Sequence, residues 1–235
     1  MFKARFTVKQ SNILVLTDTP LALEAAYRSL LVHRALLDEY VEKRPWFKLA
    51  LSPVKVEDWA PHAAKLAAEA AEIAGVGPMA AVAGALAEVV MWDMVRAGAK
   101  LSVVENGGEI SAISPKRLNI AVHAGPSPLS GKVGFEVSES DFPIGIATSS
   151  ASVSKAINLG LADAAVVVAE EAAIADAAAK AVCNAVIGED EEGSIKRGLE
   201  AADDLKPYIR GALIIRGRHI GLMGKLPRLI GFKPS

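Results

Sequence analysis

The stretch VVENGGEIS, residues 103–111, decides how the middle of the chain is read. Asn-Gly between two apolar runs is the strongest short-range signal for a tight β-hairpin. KLSVV before it and EISAIS after it therefore read as paired strands. Two features go beyond what a bend requires: a second glycine, Gly108, and a carboxylate on either side, Glu105 and Glu109. Glycine has no Cβ, so the main chain at Gly107 and Gly108 is open to close approach by a ligand.

Outward from this hairpin, LNIAVHA and KVGFEVS read as two further strands. FPIGIATSS reads as a strand ending in Thr148, Ser149 and Ser150, and ADAAVVVA as a buried strand. ASVSKAINLG between those two reads as a short helix. EEAAIADAAAKAVCNAVIG and SIKRGLEAADDL read as longer helices, and GALIIRGRHIGLMG as a hairpin about Arg216-Gly217-Arg218. Towards the N-terminus, FKARFTV and NILVLTD alternate as strands, with Ser11-Asn12 as their turn. Thr19 caps and Pro20 opens a helix running to about Val41, with Leu23, Tyr27, Leu30, Leu31 and Leu37 at helical spacing. Pro45 and Pro53 punctuate a loop holding Trp46 and Phe47. Pro61 starts an alanine-rich helix up to Ala74, Gly75 and Gly77 break the chain, and Pro78 starts a long helix over 79–97. Strands and helices alternate in groups rather than as strict βαβ units, which argues for α+β over a doubly wound sheet. The reading is one domain over 1–235, built from two similar halves.

Composition narrows the partners. Hydrophobic residues make up 51% of 235, enough for a sizeable core, while the formal net charge is -1. A nucleic-acid binder would show a basic excess on one face, and aromatics at 5% are too sparse for base-stacking platforms. Alanine supplies much of the apolar fraction, which favours helices in close contact; its faces also suit packing against a second copy as a homodimer. A single cysteine, Cys183, excludes an intramolecular disulfide and fits a reducing compartment. MFKARFTVKQ lacks the long apolar run of a signal peptide. The longest apolar stretch, Met79 to Val95, is interrupted by Glu88 and Asp93, short of a membrane span. These features lead to an expectation of a cytoplasmic protein with no membrane or nucleic-acid partner.

Several motifs fail on context. GVGPMA, residues 75–80, has the letters of a dinucleotide fingerprint, but that motif must follow a strand and here follows a helix. Pro78 also removes an N–H that a phosphate would use. The free N–H groups opening the 79–97 helix remain able to hold an anion. GRHIGLMGKL has Gly-Lys without the Walker spacing or a Ser/Thr after Lys225. His33, His62, His123 and His219 show no metal-ligand spacing and read as structural or surface residues. Cys183 reads as core, and no nucleophile elbow is present. The hydroxyls of Thr148, Ser149 and Ser150 either bind phosphate or carboxylate oxygens or cap the next helix, and spacing favours the cap. Asp176 and Lys180 lie four apart on one helix, in acid-then-base order, as in a surface ion pair. The alanines around them leave room for a backbone or a ligand.

Taken in order, GVGPMAAVAGA, VVENGGEI, HAGPSPLSGKVG, PIGIATSS, GLADAAVVVA and IADAAAK resemble a short, poorly characterised prokaryotic branch of the ApbE-like superfamily, from about Pro53 to Gly188. The resemblance implies an α+β fold of two related halves with mixed or antiparallel sheets and flanking helices. Better-known members are flavin transferases that bind FAD, use magnesium, and attach FMN through a phosphoester to a threonine of a partner protein. Carried over by motif, this implies that Asn106, Gly107, Gly108 and Glu109 approach the flavin nucleotide, with Thr148, Ser149 and Ser150 lining the same site. Asp176 and Lys180 would be the catalytic pair.

The family's magnesium site is where the chain departs. Transferases carry Asp-Ala-x-Ala-Thr, with the Asp and Thr contributing to the metal site; here the string is Asp176-Ala177-Ala178-Ala179-Lys180. Magnesium demands oxygen ligands, which a protonated lysine cannot supply. The ammonium would instead neutralise charge, on Asp176 or on a ligand phosphate. Gly-His-Ser, favoured by the branch after Thr-Ser-Ser, is replaced by Ala151-Ser152-Val153-Ser154. The expectation is a small phosphorylated ligand, FAD among them, with transferase-type chemistry. The alternatives are an accessory role in sulfur assimilation towards homocysteine, to which members of this branch have been linked, and a binding module without catalysis.

Overall fold

The computed structural model of the chain describes residues 1–153 and 158–232. The short helix expected over 151–160 falls in part on residues outside those described.

The chain opens with β1 (Phe2–Val8) and β2 (Ser11–Thr17), then α1 (Pro20–Lys43), α2 (Pro45–Leu49), α3 (His62–Ala74) and α4 (Val82–Arg96). It continues through β3 (Ser102–Asn106), β4 (Glu109–Ile113), β5 (Leu118–Ala121), β6 (Val133–Val137), β7 (Ile144–Ser149) and β8 (Ala164–Ala169). It ends with α5 (Ala172–Ala185), α6 (Glu191–Asp204), β9 (Gly211–Arg216), β10 (His219–Gly224) and β11 (Arg228–Gly231). The large sheet has the order β1-β2-β3-β4-β7-β8-β9-β10 and the small one β11-β6-β5, with every pairing antiparallel. Each half of the large sheet is a strand pair, then helices, then a second strand pair. The two halves join edge to edge where β4 meets β7.

Strand alternation sorts the residues into layers. On β8, Ala164, Val166 and Val168 pack with Phe135 and Val137 beneath the small sheet. Ala165, Val167 and Ala169 pack with Ala178 and Val182 of α5 on the other face. The large sheet is therefore covered on both sides, by helices and by the small sheet.

Helix α1 starts as expected, with Thr19 Oγ1 accepting from Ala22 N at 3.1 Å. Its buried stripe includes Ala22, Ala26, Leu30, Leu37 and Tyr40, whereas Tyr27 and Leu31 stand on the outer face. The β1–β2 turn sits at Lys9-Gln10, with Lys9 at φ 53°, rather than at Ser11-Asn12, because Ser11 already pairs with Val8. The segment after Pro45 is a short helix with Phe47 buried, not a loop. The helix expected from Pro78 opens as a 3-10 turn over Pro78–Ala81 and becomes α-helical at Val82.

By length and composition, Pro78–Arg96 is apolar enough to cross a membrane after all, yet 67% of its most apolar window is buried inside the protein. It is the central packing helix. The alanine faces proposed for a second copy are likewise used within the chain: Ala64, Ala67 and Ala71 of α3 are buried, as are Ala177, Ala178 and Ala179 of α5.

Helices α4 and α5 lock together through their starts. Gly84 N donates to Asp176 Oδ2 at 2.9 Å, and Ala173 N donates to Glu88 Oε2 at 3.1 Å. Each helix thus lends a carboxylate to the N–H groups opening the other, which have no partner within their own helix and where the dipole favours negative charge. The anion at the start of α4 is accordingly the protein's own Asp176.

Candidate functional site

The opening turn is a two-residue connection with Gly107 and Gly108 as its central residues, at φ 76° and 118°. Asn-Gly as the central pair would be one residue out of register, since Asn106 still pairs with Glu109. Positive φ at both positions selects glycine; space does not, because an added Cβ at Gly107 would meet only Glu109 Oε2, at 3.5 Å. Gly108 N donates to Glu105 Oε1 at 2.9 Å, so one carboxylate flanking the turn holds the turn itself.

Two cavities meet at this turn. Lobe A, of about 570 Å³, lies between the large and small sheets, walled by Ile110, Ile120, Phe135, Ile146 and Val166. Glu105, Gly108, His123 and Ser150 also line it. Lobe B, of about 400 Å³, lies on the helical face and is lined by Arg34, Ala83, Asn106, Ser149, Asp176 and Lys180, among others. Gly107, Glu109 and Thr148 belong to both. Alternation explains the split: Glu105 and Thr148 follow the small-sheet face, Asn106 and Ser149 the helical face. The cleft wraps around the end of the large sheet, and all nine residues singled out from the sequence line one lobe or the other.

Their bonding differs. Asn106 Nδ2 donates to Ala83 O at 3.0 Å, tying the end of β3 to the start of α4. Ser149 Oγ donates to Asn158 Oδ1 at 3.0 Å. Ser150 Oγ accepts from Ser152 N at 3.2 Å and Val153 N at 3.1 Å, which is the capping role favoured from spacing, exercised on a turn. Lys180 Nζ donates to the same Asn158 Oδ1 at 2.6 Å. The Asp176–Lys180 pair is therefore no surface ion pair: one member caps α4 and the other leans towards the strand-end hydroxyls.

The electrostatics follow from burial. Desolvation, partly offset by the N–H groups of Gly84 and Ala83 and by Lys180, pushes the Asp176 carboxyl up to about 7. Glu109 is held well above the usual carboxylate range, first by burial and then by the charge of Asp176. Burial draws Lys180 down, while Asp176 and Glu109 pull it back up. Two carboxyls raised by burial thus stand beside the Lys180 amine in lobe B.

The linkage has a definite sign. An acid whose folded pKa is raised binds more protons folded than unfolded between the two values, so stability falls as pH rises from about 4 to about 7. Asp176→Asn keeps an oxygen for Gly84 N and removes this titration. The variant should therefore gain on the wild type by roughly 1–3 kcal/mol across that window. Denaturant melts at pH 4 and pH 8 check this; a difference that does not change with pH contradicts it.

The residues do not fit the magnesium site of the transferases. Asp176 Oδ2 already accepts from Gly84 N, and Lys180 brings a cation where a metal needs oxygen. Among the described residues, no group of three His, Cys, Asp or Glu side chains is placed to hold a metal.

This antiparallel α+β fold is that of solved ApbE proteins. The apo flavinyl transferase ApbE of Pseudomonas stutzeri aligns with a TM-score of 0.58 at 13% identity, over 94% of this chain and 93% of that one. The ApbE protein of Thermotoga maritima aligns with a TM-score of 0.57 at 12% identity, over 94% and 96%. At the level of sequence, the family model described as AbpE bacteria matches residues 2–208, and the chain belongs to that family. A UPF0280 protein of Methanocaldococcus jannaschii is 42% identical over 97% of this chain and 93% of its own length.

Sequence reasoning passed over three contributors. Asn158, the shared acceptor of Ser149 and Lys180, lies in the stretch read as a short helix and belongs to no motif. Arg34 of α1 reaches lobe B from the first half of the chain. His123 lines lobe A, although it read as structural or surface.

Proposed function

We propose that this protein binds a flavin nucleotide of the FAD class across both lobes and acts on it in transferase-type chemistry without the family's magnesium site. The observation that carries this is the convergence of Gly107, Thr148, Asp176 and Lys180 on one two-lobed cleft of an ApbE-type fold. Lobe A has apolar walls suited to a ring system, and lobe B has a basic side chain, Lys180, suited to a phosphate. The dinucleotide, when bound, would supply a pyrophosphate linkage whose cleavage passes the flavin-bearing phosphoryl group to an acceptor hydroxyl and releases the nucleoside monophosphate. Lys180 sets a point charge against the phosphate, the role left vacant by the magnesium ligand it replaces. Thr148 and the main chain of Gly107 border the crossing point between the lobes. Glu109 and Asp176, whose carboxyls burial raises, would give a proton to a departing phosphate oxygen there.

The mismatch at the metal site favours a second reading, a binding module without catalysis. FAD titration in EDTA, followed by incubation with a threonine-bearing acceptor, separates the two. Saturable quenching of flavin fluorescence in EDTA supports binding, and flavin covalently retained on the acceptor supports transfer. No quenching at high FAD concentration, with or without magnesium, overturns both. Sulfur assimilation has no feature of this site behind it.

A further inference from the structure

We propose that His123 is a ligand-reading residue of lobe A, presenting a hydrogen-bond donor to an acceptor atom, a ring nitrogen or carbonyl, on the edge of a heteroaromatic ring seated between the two sheets. This rests on the flavin-nucleotide reading and adds to it the residue that would recognise the ring.

The first support is how the loop holds the imidazole. His123 opens the Gly-, Pro- and Ser-rich connection between β5 and β6. Gly131 N donates to Val122 O at 2.8 Å, Ser127 N to Ala124 O at 3.0 Å, and Ser130 N to Ser127 O at 3.0 Å. Ser127 Oγ donates to Gly217 O at 2.7 Å, docking the loop on the β9–β10 turn. Gly125, at φ 47°, sits where a Cβ would strike Val153 Cγ2 at 2.6 Å. The loop is thus bonded internally and fixed to its neighbours, which pre-organises a side chain on it.

The second support is the direction of the proton. Ser130 Oγ accepts from Ala124 N at 2.9 Å and lies 3.1 Å from His123 Nδ1. With its oxygen already accepting from Ala124 N, the Ser130 hydroxyl has Nδ1 within reach as an acceptor for its own proton. Giving it that proton satisfies both groups and leaves the neutral ring's N–H on Nε2. Nε2 makes no hydrogen bond among the described residues. Of the other polar side chains of lobe A, Glu105 accepts from Gly108 N and Ser150 accepts from the 152–153 turn, while Glu109 and Thr148 stand at the crossing into lobe B. Apolar walls on two sheets with an oriented imidazole among their lining make a ring-binding arrangement.

The test compares riboflavin, which has the ring and no phosphate, with FAD, using fluorescence quenching. His123→Ala should weaken both ligands by a similar factor, about 3- to 10-fold, the worth of one neutral hydrogen bond. His123→Gln, which keeps a donor, should recover most of the loss, and Ser130→Ala should reproduce part of it. Circular dichroism confirms that each variant is folded. FAD binding by the wild type with both affinities unchanged in His123→Ala overturns this inference and leaves the flavin reading standing. A loss confined to FAD also overturns it, because a phosphate contact would then be responsible. A wild type that binds neither ligand removes both.

Discussion

Gly84→Val should destabilise the protein by about 3 kcal/mol or more, enough to leave much of it unfolded at moderate temperature. A Cβ at position 84 would sit 2.3 Å from Ala172 O and 2.8 Å from Asp176 Cβ. Neither neighbour can yield cheaply, since one is helix backbone and the other is the start of the side chain that caps α4 through Gly84 N. The same contact that sets the approach of α4 and α5 sets the position of Asp176 in lobe B. Stability and site geometry should therefore fail together. Denaturant unfolding measures the first, and an unchanged midpoint would show that the two helices do not pack as described.

Lys180→Met should weaken FAD by about 10- to 100-fold while leaving riboflavin unchanged. A hydrogen bond to a charged group is worth roughly 1.5–3 kcal/mol, and Met retains the length and apolar stem without the charge. The half-buried setting raises the effect above that of an exposed lysine, because water does not replace the lost cation as well. Equal loss for both ligands would place Lys180 in the structural frame, through its bond to Asn158, rather than at a phosphate. Lys180→Thr, which restores the family's oxygen, adds a contrast: magnesium should assist FAD binding in that variant and not in the wild type.

Much of the fold was legible because its elements carry local signals. Thr19-Pro20, the glycines after Ala74 and the apolar run of β8 each act within a few residues. The pairing of β11 with β6 was not legible: Arg228 pairs with Glu136 across most of the second half of the chain, and LIGF shows no alternation. For the same reason the reciprocal capping of α4 and α5 could not be read from spacing. Asp176 and Gly84 are 92 positions apart, and Asp176 had a plausible local partner in Lys180. Resemblance brought the site residues together, but their division between two faces needed the strand register. The turn glycines proved to be required by positive φ, so the opening sequence combines a bend with a lining for the cleft rather than one or the other.

The claim on which the functional account turns is that one phosphorylated ligand spans both lobes at the Gly107 turn. A crystal structure of the protein soaked with FAD in EDTA tests this most directly. The account predicts a phosphate within hydrogen-bond reach of Lys180 Nζ, main-chain contact at Gly107, and the ring between Phe135 and Ile146 in lobe A. Density for FAD elsewhere on the protein, or a ligand confined to one lobe with Lys180 still bound only to its protein partners, would contradict it.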